Sequence, residues 1–110
     1  MKYTVKQINL TDAQVNEINS SESYPEFYNK YLDTIMRPTA EAIKAAYDMY
    51  EVVAKITADS LEGVFEAGNI GPEEKIERIA PMHSVSVGDI VVDEDGREYF
   101  VASFGFEAVI

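Results

Sequence analysis

The chain has 110 residues, no cysteine, and 20 acidic against nine basic side chains, for a net charge of −11. That length fits one domain with its own core, and the lack of cysteine excludes a disulfide framework, thiolate zinc sites and cysteine nucleophiles. A surface of this sign repels phosphate backbones and anionic headgroups, which argues against direct binding to nucleic acid or membrane.

The opening KYTVKQINL reads as a strand, and Thr11 with Gln14 three positions on has the form of a capping box for a short helix from Asp12 to about Asn19. The polar stretch SSES (20 to 23) is a loop, too early in the chain to be a domain linker. Pro25 suits the first position of a second helix. Phe27, Tyr28, Tyr31, Leu32, Ile35 and Met36 lie at helical spacing, predicting a core-facing helix. Pro38 should kink or break it, with a helical pattern resuming at Ile43, Ala46 and Tyr47.

The period then changes to two. Tyr50, Val52, Ala54 and Ile56 alternate with Glu51, Val53, Lys55 and Thr57, predicting a strand with one buried face. Asp59 and Glu62 form a second capping-box pair before Leu61, Val64 and Phe65, and Gly68-Asn69 supplies a stop. After Gly71-Pro72, EEKIERI has acids first and Arg78 last, which suits the dipole of a short helix. Ile90 to Val92 and Tyr99 to Val101 flank DEDG, a β-hairpin signal, and Phe104-Gly105-Phe106 predicts one more turn. Helices and strands do not alternate regularly, so the expected fold is a small single α+β domain: an antiparallel sheet of about four strands with a C-terminal hairpin, packed against helices.

Few residues suggest chemistry. His83 is the one histidine, with Ser84, Ser86 and Asp89 close behind it. A Ser–His–Asp triad normally converges from separate segments, whereas neighbours on a strand point to opposite faces. These residues therefore read as shaping the entry to the hairpin, with the Ser hydroxyls satisfying backbone groups and Gly88 allowing a bend. Asp93, Asp95 and Gly96 resemble part of a calcium loop, but that register puts Val91 and Ala102 at ligand positions. Glu73, Glu74 and Glu77 read as a solvated helix face. The glycines at 63, 68, 71, 88, 96 and 105 are too scattered for a phosphate loop. No catalytic residue, metal or cofactor is expected.

The charge is uneven. Residues 1 to 58 hold eight acids and six Lys or Arg, net −2, while residues 59 to 110 hold twelve and three, net −9. An acidic half favours a basic protein partner, although negative charge also serves solubility alone. Tyr24, Phe27, Tyr28 and Tyr31 read mainly as core. Phe104 and Phe106, beside Gly105, are the expected exposed aromatics, and with Glu94, Asp95 and Glu98 they make the candidate protein-binding set. No apolar run reaches the roughly 20 residues of a membrane helix. MKYTVKQINL lacks a signal-peptide apolar region, so a cytoplasmic setting is expected.

LEGVFEAGN (61 to 69), HSVSVGDIVV (83 to 92) and YFVASFGFEAV (99 to 109) together resemble the YodL-like domain, a small module of phage, plasmid and conjugative-element proteins. His83, Ser84, Ser86, Val87, Asp89, Tyr99, Val101, Gly105 and Phe106 carry the likeness, which spans about residues 50 to 110 and leaves the part from 1 to about 49 outside it. Gly88 departs from the polar residue of many members. The chain as a whole is similar in character to a protein of a marine T4-like phage. The resemblance implies a mobile-element or viral setting, in the host cytoplasm, and no established enzymatic activity. Three readings follow: an acidic interaction module, in one form an inhibitor of a basic nucleic-acid-binding host protein; a self-associating assembly protein; and a small enzyme using His83 and Asp89.

Overall fold

In the computed structural model, which describes residues 1–109, the first strand lies at the centre of the sheet. This strand, β1 (Lys2–Ile8), is followed by α1 (Asp12–Ser20), α2 (Glu26–Met36), α3 (Ala40–Ala45) and β2 (Tyr50–Thr57). The second half adds α4 (Leu61–Asn69), β3 (Ile76–Arg78), β4 (Ile90–Val92), β5 (Glu98–Val101) and β6 (Phe106–Ala108). The strands form one six-stranded sheet in the order β3-β2-β1-β4-β5-β6, antiparallel at every pairing. The α+β class and the C-terminal hairpin are as expected; there are six strands instead of about four.

Two cores lie on opposite faces of the sheet. On one, Tyr3, Val5, Ala54, Ile56, Val91 and Val101 pack with Val64 and Ala67 of α4 and with Val85. On the other, Ile90, Phe100 and Ala102 meet Ile43 of α3. Strand alternation accounts for the division, since Ile90 and Val91, like Phe100 and Val101, are adjacent residues pointing to opposite sides.

Four expectations are corrected. EEKIERI is not a helix: Glu73–Lys75 makes one 3-10 turn and Ile76–Arg78 becomes an edge strand. The open edge of β2 supplies backbone partners there, with Ile76 opposite Ile56, so pairing outweighs the dipole preference. In β2 the inward phase breaks, because Val5 pairs with Ala54 but Lys6 pairs with Val52. Val53 is the extra residue of a bulge and is fully buried, while Val52 is 38% exposed. The α4 cap is Ser60, whose hydroxyl accepts from the Gly63 amide at 3.1 Å, and not Asp59. Finally, α2 is only partly core-facing: Thr34 is its one fully buried residue, and Met36 and Tyr24 just before it are largely exposed.

Other local signals hold. Thr11 and Gln14 form the reciprocal capping box of α1. The helix α2 stops at Met36, ahead of Pro38, although Pro25 is its N-cap and not, as expected, its first helical residue. The α4 terminus is fastened by Asn69, whose amide donates to the carbonyls of Phe65 (2.8 Å) and Val85 (2.9 Å). This bond draws the segment after β3 across the first face and delivers residues 83 to 89 to the end of β4.

Candidate functional site

Residues 83 to 89 cross the end of the sheet between the end of β1 and the second half of α2. A buried polar knot holds them there. Gln7 of β1 is fully buried, and its side-chain amide donates to the His83 carbonyl and to Asp89 Oδ2, each at 2.9 Å. Its Oε1 accepts from the His83 amide at 3.2 Å. Asp89 Oδ2 also accepts from the Ser86 amide at 2.9 Å, while the Asp89 amide donates to the Ser86 carbonyl at 3.0 Å, closing the turn into β4. Gly88 has a φ of 93° and packs so tightly on α2 that a Cβ there would lie 2.6 Å from the Thr34 carbonyl oxygen.

Beside the knot lies a cleft of about 410 Å³. Ile8, Ile35 and Val87 contribute apolar wall, Tyr31 and Thr34 come from α2, Tyr50 from the start of β2, and His83, Ser86 and Asp89 from the loop. Burial pushes the Asp89 carboxyl up to about 6, against the opposing pull of the Ser86 amide, the His83 charge and the Gln7 amide. Burial also raises the Tyr50 hydroxyl, which donates to the Gly88 carbonyl.

The motif residues thus have structural roles as well as positions on the cleft. His83 Nδ1 donates to the Ser84 carbonyl at 2.8 Å, and Ser86 Oγ donates to the same oxygen at 2.8 Å. Among the described residues no hydrogen bond joins the imidazole to a serine hydroxyl or to the Asp89 carboxylate, so the contacts of a nucleophile relay are not made. No group of three or more metal-ligating side chains converges among the described residues.

The candidate protein-binding residues are not brought together. Glu94 and Asp95 are exposed in the β4–β5 turn, whereas Phe104 and Gly105 lie in the β5–β6 turn at the other end of β5. Glu98 is committed elsewhere: Lys6 Nζ lies 3.1 Å from its Oε2, and Tyr47 donates to the same oxygen at 2.6 Å. Burial would raise the Glu98 carboxyl, but the bonds from Tyr47 and Lys6 hold it below its ordinary value. Phe106 is half-buried against the first core, and Phe104 is 96% exposed. Beside that turn runs a groove of about 270 Å³ lined by Phe65, Val87, Val101 and Phe106, with Glu62 among its lining residues.

Gln7, Thr34 and Tyr50 escaped the sequence reading. Gln7 did leave a signal, since it continues the inward alternation of Tyr3 and Val5 with a polar side chain that needs a buried partner. No protein-family model, no curated protein and no solved structure matches the chain. The YodL-like likeness therefore rests on the quoted residues alone.

Proposed function

We propose that the protein is a non-enzymatic, acidic interaction module of a phage or mobile element that binds a basic protein, with the β5–β6 turn as its apolar contact. The carrying observation is Phe104, 96% exposed beside an apolar groove that includes Glu62. A large aromatic left in water at a turn is the kind of anchor around which binding energy concentrates. The net charge of −9 over residues 59 to 110 favours a cationic partner and speeds its encounter.

Self-association through a sheet edge has less support. Both edge strands, β3 and β6, are three residues long and offer few unpaired backbone groups. A host nucleic-acid-binding protein is the specific form of partner expected, its cationic surface meeting carboxylates in place of phosphates.

Tagged protein is used to capture partners from bacterial lysate at low and high salt, in parallel with F104S and E62Q, and particle size is followed by light scattering. A basic protein retained at low salt, released at high salt and lost with F104S is the expected result. Equal retention by F104S, or recovery of the tagged chain's own copies alone with concentration-dependent size, would overturn the reading.

A further inference from the structure

We infer that the cleft between α2 and residues 83 to 89 receives the side chain of a lysine or arginine presented by the basic partner. This rests on the reading above that the partner is a basic protein, and it adds a second point of contact.

The direction of the protons around the cleft decides the ligand chemistry. A carbonyl can only accept, so each hydroxyl bonded to one has committed its hydrogen. Tyr50 donates to the Gly88 carbonyl, Thr34 to the Tyr31 carbonyl at 2.6 Å, and Ser86 to the Ser84 carbonyl at 2.8 Å. His83 likewise commits its Nδ1 hydrogen to the Ser84 carbonyl. What the Tyr50, Thr34 and Ser86 hydroxyls still offer is lone pairs, which suits a donor, and only Tyr31 among the lining hydroxyls has its hydrogen uncommitted among the described residues.

Asp89 supplies the charge. Its side chain belongs to a residue only 5% exposed, and both hydrogen bonds to its carboxylate fall on Oδ2. Oδ1 accepts none among the described residues, yet no buried side-chain oxygen is left unpaired, so this atom reaches accessible space on the cleft that Asp89 lines. A buried carboxylate with one oxygen open to a cavity is poised for a cation. Ile8, Ile35 and Val87 suit the methylene stem of a long basic side chain, and the Tyr31 and Tyr50 rings suit its charged head. At about 410 Å³ the cleft lies at the small end of ligand sites and fits one such side chain, not a helix.

The test uses NMR amide shifts of the full chain titrated with N-acetyl-arginine amide, N-acetyl-lysine amide and the uncharged isostere N-acetyl-citrulline amide. Shifts at Ile8, Tyr31, Ser86 and Asp89 that saturate with the two cations and not with citrulline are expected. Equal shifts with citrulline, no shifts, or shifts confined to the Glu94-Asp95 turn would overturn the inference. In the second arm D89N, checked for an unchanged amide spectrum elsewhere, should weaken capture of the basic partner at least about tenfold. If D89N binds the partner as wild type while F104S does not, the cleft inference fails and the interaction reading stands. If neither wild type nor variant retains a basic protein, the interaction reading itself fails, whatever the probes do.

Discussion

Asp89→Asn isolates the energetic cost of the polar knot. The carboxyl moves from an ordinary 3.8 to about 6 on folding, so the folded chain holds this proton more tightly than the unfolded chain does. The sign follows from linkage: this contribution to stability is complete below about pH 3.8 and is lost as pH rises through about 6. At 1.36 kcal/mol per decade in affinity for the proton the whole shift is worth about 3 kcal/mol, of which about 2 kcal/mol is lost between about pH 4 and about pH 7, because the unfolded carboxyl is already more than half ionised at the lower pH. Asparagine keeps an acceptor for the Gln7 and Ser86 donors and does not titrate. Urea unfolding of both proteins at about pH 4, about pH 5.5 and about pH 7 gives the difference at each pH, in which the other acids largely cancel. The variant should gain about 2 kcal/mol relative to wild type across that range. Charge-assisted bonds lost at pH 7 set where the difference starts, not its slope. A difference that stays constant within about 0.5 kcal/mol would refute the view that Asp89 is buried at a cost in its charged form.

Further substitutions test the packing around the knot and the opposite face. Gly88→Ala combines a φ of 93° with a Cβ 2.6 Å from the Thr34 carbonyl oxygen, and should cost about 3 kcal/mol in urea unfolding. Gly68→Ala would ordinarily strengthen a helix by about 1 kcal/mol, but here the new Cβ would lie 2.3 Å from Val85 Cγ2. The melting temperature should therefore fall, and a rise would refute the close approach of α4 to Val85. Glu98→Gln should cost about 1 kcal/mol at neutral pH by loosening the Lys6–Tyr47 cluster. Because the Glu98 carboxyl is held below its ordinary value, its contribution is present above that value and fades as pH falls through the lowered one. The variant and wild type should converge in acid, as read by the denaturation midpoint.

How much was legible in the sequence depended on the range of the interactions involved. The capping box of Thr11 and Gln14, the stop before Pro38 and the DEDG hairpin are set within a few residues, so spacing and turn chemistry determined them. The α+β class followed from the same local patterns. Where local preference met a distant partner, the partner decided. EEKIERI became turn and strand because the edge of β2 was there to pair with it. The phase of β2 shifted at Val53 because a bulge is a property of two strands in register and is invisible in either one alone.

The candidate site divides in the same way. Composition and charge determined the acidic character of the second half, and adjacency placed His83, Ser86 and Asp89 on one segment as turn-forming residues. Only the tertiary structure joined Gln7, 82 positions away, to Asp89, and placed Tyr50 and α2 opposite them. It also separated Phe104 from Glu94 and Asp95, which are close in sequence but lie at opposite ends of β5. Local order is encoded within a turn or two of chain, whereas a cleft is bounded by residues whose only relation is the sheet that gathers them.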